Sequence, residues 1–172
     1  GWSVLYAPLL GVGVWRAARK DDNSLLARGV VVLAACLICA VTYSDGLTPL
    51  LTALPEEGAV RAVRATAVLG GYFLGTVLYV KTMIRERGER AYLAGSVGYH
   101  VLAAMLAGVA AASGWLGWGV ALFFLLLTVR AAGMPWLAAR GQRLTPKTVG
   151  LLEFALSLSL LLLLTVRTAV SG

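Results

Sequence analysis

Charge is scarce in this chain: 13% of its 172 residues are Asp, Glu, Lys or Arg, where an average soluble domain carries about 25%. With 59% hydrophobic residues and a mean hydropathy of +0.83, a form folded in water could not cover its surface with polar groups. The bilayer is the natural solvent, and the chain reads as an integral membrane protein.

Several chemistries go missing with the polar residues. The single histidine cannot supply bis-histidine haem ligation on its own. Cys36 and Cys39, the two cysteines, have no further thiolates or imidazoles at zinc-site spacing, so no metal site is expected. A thiol oxidoreductase would need a second cysteine pair; Cys36 and Cys39 read as packing within one helix. No nucleotide-binding loop, nucleophile elbow or zinc-protease motif is present. Asp21-Asp22 is a lone acidic pair, short of the aspartate-rich motifs that hold prenyl diphosphates through magnesium. Alternating strand patterns are absent, which argues against a β-barrel.

What the chain has is apolar runs. Gly1–Trp15 opens it and spans only ~22 Å as a helix, against a hydrocarbon core of ~30 Å. It lacks the basic start and the cleavage site of a signal peptide, and reads as the remainder of a helix in a longer protein. Five longer runs follow, at Leu25–Ser44, Val60–Val80, Ala91–Ala112, Trp115–Ala132 and Thr148–Val166, each near the ~20 residues a spanning helix needs. Asp45-Gly46, Pro49, Pro55, Gly88, Ser113-Gly114, Gly133 with Pro135, and Pro146 mark turns between them. The expected fold is all-α: one polytopic transmembrane bundle over residues 1–172 with about six spans. Leu47, Leu50, Leu51 and Leu54 share a helical face in the second connection and predict a short interfacial helix.

The net charge of +7 lies in clusters between runs rather than along a stripe interleaved with aromatics, so nucleic acid is excluded as a partner. Arg16, Arg19, Lys20 and Arg28 flank the first connection. Lys81, Arg85, Arg87 and Arg90 flank the third, and Arg130, Arg140, Arg143 and Lys147 the fifth. These are twelve of the fifteen basic residues. The second connection holds Asp45, Glu56 and Glu57, and the fourth carries no charge. Six crossings therefore satisfy the positive-inside rule, with odd connections cytoplasmic and Gly172 outside.

Ionisable groups at membrane depth mark functional sites by default. His100 lies ~14 Å into the fourth span by helical rise, near the midplane. Its face holds Tyr92, Ser96, Ala103 and Ala107, with Tyr99 adjacent. It reads either as a neutral imidazole tying helices together or as a proton carrier, quinone contact or haem ligand. Glu153 lies roughly two turns into the sixth span. It reads either as the partner of Arg130, Lys147 or Lys81 or as a proton relay or cation ligand, and the ion pair is the favoured reading. Lys81, Arg85 and Arg87 read either as a positive-inside anchor closed by Gly88 or as a lip for phosphate, diphosphate or a lipid headgroup. Tyr72, Gly75, Thr76 and Tyr79 line one face of the third span, where Gly71-x-x-x-Gly75 suits close helix approach.

Three blocks carry a resemblance. They are Gly71-Tyr72-Phe73-Leu74-Gly75-Thr76-Val77-Leu78-Tyr79-Val80-Lys81-Thr82-Met83-Ile84-Arg85-Glu86-Arg87-Gly88, Ser96-Val97-Gly98-Tyr99-His100, and Thr145-Pro146-Lys147-Thr148-Val149-Gly150-Leu151-Leu152-Glu153. Across nearly the whole chain the sequence resembles the YwiC-like family of bacterial membrane proteins. That resemblance implies a multi-pass protein of the bacterial inner membrane, preceded by additional helices, and names no activity or cofactor. It brings Lys81, Arg85, Arg87, His100, Lys147 and Glu153 forward as candidate ligand-binding residues, since all six fall in the matched blocks.

The leading expectation is a cavity open to the cytoplasm, with a basic rim and His100 and Glu153 deeper inside, that binds an amphipathic anion, lipid or quinone. The alternatives are a structural or assembly subunit of a larger membrane complex, such as a respiratory one, and a prenyltransferase-like enzyme. No inverted repeat or pair of broken helices favours a transporter.

Overall fold

A computed structural model describes residues 1–19, 24–142 and 144–170. The expectations for Lys20, Asp21, Asp22, Arg143 and Gly172 lie outside these residues. Among the described residues there are eight helices and no strand. In chain order they are α1 (Ser3–Ala18), α2 (Leu25–Cys36), α3 (Ile38–Val41), α4 (Leu47–Thr52), α5 (Glu57–Ile84), α6 (Arg90–Ala112), α7 (Trp118–Ala139) and α8 (Pro146–Val170).

Every apolar run falls on helix. Four of the helices, α5 to α8, are long and apolar enough to cross a membrane. The stretch α1, at 16 residues, and the stretch Leu25–Val41 are shorter. The chain divides into two compact units, Gly1–Val77 and Leu78–Gly172, and the boundary falls inside α5.

In the first unit α1 packs on α2. The Tyr6 hydroxyl donates to the Ala34 carbonyl at 3.0 Å, and the Trp2 indole N–H donates to Ser44 O at 2.7 Å. Ser24 caps α2 by accepting from the Ala27 N–H at 3.1 Å, which satisfies one of the donors a helix start leaves open. The short helix foreseen on Leu47, Leu50, Leu51 and Leu54 is α4, which takes in the first three and ends before Leu54. Leu50 packs with Ala40 and Ala59 in a buried cluster, while Leu51 and Leu54 stay exposed. Pro49, expected at a turn, sits inside α4, within the first turn, where a missing N–H costs a helix nothing. Cys36 and Cys39 are free thiols beside Val31, Val32, Ala35, Leu69 and Phe73.

In the second unit α6 and α7 form the most extensively packed pair. α6 buries Ser96, His100, Ala107 and Ala111, a stripe at helical spacing whose small residues let the helices approach closely. The reversal between them turns on Gly114, at φ +77°. There the Gly114 N–H donates to Ala111 O at 3.1 Å and the Leu116 N–H to Ala110 O at 2.9 Å, so two carbonyls at the end of α6 find partners. On α8, Val149, Glu153, Leu156 and Leu160 are buried, while Leu151, Phe154, Leu158, Leu161 and Leu162 are exposed. Most of its large apolar side chains face outward and its one carboxylate faces inward, the reverse of a water-soluble helix and the arrangement lipid favours.

The fifth run needs correction. Gly133 and Pro135 do not form a turn; α7 continues through both to Ala139, and the chain turns at Gly141, φ +91°. Proline removes one backbone donor. Ending the helix there would expose several carbonyls, which is worse in lipid. Arg130 is therefore not a loop residue flanking the fifth connection. It lies more than two turns inside α7 from either end and is buried.

Because an L-residue in the left-handed region costs about 1–2 kcal/mol, Gly114→Ala should lower unfolding stability in detergent by that amount. Gly108→Ala, where a Cβ meets nothing within 4 Å, should be neutral or stabilise by up to about 1 kcal/mol. SDS-titration unfolding of the two variants checks the contrast.

Candidate functional site

The buried ionisable side chains of the second unit gather in one layer. Arg130 of α7 donates through Nη1 to Glu153 Oε1 of α8. The pair is nearly enclosed, with side-chain exposures of 6% and 11%, so neither charge is shared much with solvent. This is the ion pair expected for Glu153, with Arg130 as its partner. Arg130 Cζ lies over the Tyr79 ring of α5, 3.9 Å from its centroid. The contact engages the ring's negative face and supplies no acceptor oxygen to the guanidinium. Tyr79 is also within electrostatic reach of Glu153.

His100 joins from α6. Its Nδ1 lies 2.7 Å from the Ser96 carbonyl. A carbonyl can only accept, so Nδ1 carries the proton and a neutral ring keeps a lone pair on Nε2. The His100 carbonyl accepts from the Thr128 hydroxyl at 2.9 Å, and Thr128 also donates to Phe124 O at 3.1 Å. That link ties α6 to α7 two residues before Arg130, and His100 is within electrostatic reach of the guanidinium. Four helices thus each contribute one ionisable side chain: Tyr79, His100, Arg130 and Glu153.

Helical register places an apolar layer beside this polar one. Met83 is one turn beyond Tyr79, and Met83, Ala131 and Val149 form a buried cluster with Tyr79, against which Met134 and Leu144 pack. Next to Met83 is a cavity of about 380 Å³, lined by Thr82, Met83, Arg87, Glu89, Leu93, Pro135 and Ala138 among others. It lies where α5 and α7 end and α6 begins.

The six residues singled out by sequence fall into three environments. His100 and Glu153 belong to the buried layer. Arg87 lines the cavity and is exposed, as are Arg85 and Lys147. Lys81 is partly buried; its Nζ donates to the Tyr92 hydroxyl at 3.3 Å, sits 4.8 Å from that ring centroid and pairs with Glu86 at 3.7 Å. Glu153 and His100 do not line the 380 Å³ cavity beside Arg87; Met83 intervenes in register. Sequence reasoning missed Tyr79 and Arg130 as site members. The available signal was a Tyr at helical spacing from Met83, and an Arg followed by more apolar residues before the glycine that ends the helix.

Removing one partner of a buried ion pair strands the other, at about 3–5 kcal/mol. Arg130→Met and Glu153→Leu should each lose on that order in detergent unfolding, and the double variant should recover most of it. Additive losses in the double-mutant cycle would show the two side chains to be uncoupled.

No protein-family model matches the chain, and no solved structure matches it. An uncharacterized protein of Haemophilus influenzae is 30% identical over 174 residues, taking in 97% of this chain and 65% of that protein. The uncharacterized protein YwiC of Bacillus subtilis is 34% identical over 146 residues, 85% of this chain and 54% of its own length. The chain spans just under two thirds of the first relative and about half of the second, and both are bacterial proteins to which it is similar in sequence.

Proposed function

We propose that this chain is a YwiC-like protein of the bacterial inner membrane that binds an amphipathic anion at the basic end of its second unit. In this reading the chain crosses the membrane six times, the shorter apolar helices included. The connections rich in Lys and Arg are cytoplasmic, and further helices precede the stretch described. The similarity to YwiC supports the family assignment. The gathering of basic residues in alternate connections supports the orientation.

The observation that carries the binding function is the cavity beside Arg87. Its volume of about 380 Å³ falls within the range of small-molecule sites. Met83, Leu93, Pro135 and Ala138 supply apolar wall and Arg87 supplies donors, while the Thr82 hydroxyl is committed to the Leu78 and Tyr92 carbonyls. Glu89 also lines it, so the head of the ligand sits toward Arg87 and away from that carboxylate. Arg85 and Lys147, exposed at nearby helix ends, add positive potential that draws an anion in. A molecule with one oxyanion head and an apolar body matches this lining better than either a neutral lipid or a quinone.

Native mass spectrometry of the protein extracted in mild detergent tests the proposal. An acidic amphiphile should co-purify, and Arg87→Ala should reduce its occupancy about tenfold, the loss of one charge-assisted hydrogen bond. A stoichiometric protein partner with no acidic small molecule bound would contradict it and favour an assembly subunit.

A further inference from the structure

Arg130 spends one of its three nitrogens on Glu153. Its Nε and Nη2, the two that form the side fork of a guanidinium, are both buried and have no hydrogen-bond partner. Their parallel N–H groups are the arrangement that grips carboxylate and phosphate through two bonds at once. The Tyr79 ring meets the group with its π face rather than an acceptor oxygen, and Nε and Nη2 remain without a hydrogen bond. The Tyr79 hydroxyl, the Ser96 hydroxyl and His100 Nε2 are likewise buried without partners, and these residues are at most 1% exposed. Each unmet buried polar group costs about 1–3 kcal/mol, more when charged, and native interiors hold few of them. Here five atoms lie within one layer, on Arg130 and on residues that stack on it, are electrostatically coupled to it, or sit one helical turn from one that is.

We infer that the open fork of Arg130 is the inner subsite for the oxyanion head of the proposed ligand, with Tyr79 O–H as an additional donor. The inference rests on the anion-binding reading above and carries it one layer deeper. Met83 is the side chain common to the cavity wall and to the buried cluster containing Tyr79. An unbranched thioether changes rotamer with little loss of packing, so Met83 separates an outer position at Arg87 from an inner one at Arg130. A carboxylate or a phosphate monoester would suit the fork equally. Both offer two acceptor oxygens in one plane.

The test uses the full chain in phosphatidylcholine nanodiscs with three probes: oleate, phosphatidic acid and inorganic phosphate. Binding of the first two is followed by competition in native mass spectrometry and of the third by titration calorimetry. Arg130→Lys keeps a positive charge opposite Glu153 and removes the fork. It should weaken the probe that binds by tenfold or more while Arg87→Ala weakens it independently. Loss with Arg87→Ala alone, and wild-type affinity with Arg130→Lys, would leave the outer site standing and overturn the inner one. Loss with Arg130→Lys alone would remove the Arg87 reading instead. Should Arg130→Lys fail to fold, the wild-type protein decides: the ¹⁵N-labelled Nε–H resonance of Arg130 should shift on adding at least one probe, and no shift with any of the three refutes the subsite. Response to oleate, phosphatidic acid or free phosphate identifies the head as carboxylate, lipid phosphate or soluble anion.

Discussion

A guanidinium and a carboxylate shut away from water organise the second unit. Either charge alone would be very costly at that depth. The Arg130–Glu153 contact therefore does more than add attraction between α7 and α8: it penalises every other register of the two helices. Tyr79 stacks on the same guanidinium, which brings in the end of α5. His100 is brought in through its carbonyl and Thr128, which locks α6 to α7. Four helices meet at one level because one pair must not be separated.

The surrounding layers follow from that constraint. Moving from the polar level toward the ends of α5 and α7, Met83, Ala131 and Val149 close over Tyr79, and Arg87 with its neighbours opens into a cavity. On the opposite side, Leu127, Leu156 and Leu160 are buried. Apolar layers above and below keep the dielectric around the pair low, which strengthens each electrostatic contact there and raises the cost of each unmade hydrogen bond. The interior is thus both rigidly specified and chemically unfinished, with donors aimed at nothing the described residues provide.

Much of the helical layout was legible in the sequence because apolar run length is a direct consequence of bilayer thickness. The short helix on Leu47 and Leu50 and the glycine reversal at Gly114 were readable for equally local reasons. Glu153 was readable as an ion-pair member because a carboxylate at that depth needs a cation. Arg130 was harder. Its place depends on whether α7 stops at Gly133 or runs on through Pro135, and proline's local preference points the wrong way once lipid penalises open carbonyls. The break between α2 and α3 at Leu37 had no local signal at all. Nor could periodicity show that Tyr79 would stack on Arg130, since that contact joins residues 51 positions apart whose meeting depends on how α5 and α7 pack.

Cysteine cross-linking in native membranes tests the central claim most directly. In a chain with Cys36→Ala and Cys39→Ala, the pair Arg130→Cys and Glu153→Cys replaces both charges together, which spares the protein an unpaired ion. Arg and Glu side chains reach across a wider gap than a disulfide spans, so a bifunctional thiol reagent of about 8 Å should cross-link that pair rapidly. The same reagent should leave Val129→Cys with Phe154→Cys unlinked, one residue away on each helix but exposed at 63% and 70%. Cross-linking of the outer pair in place of the inner one would mean that α7 and α8 present different faces to each other, and the buried ion pair could not exist.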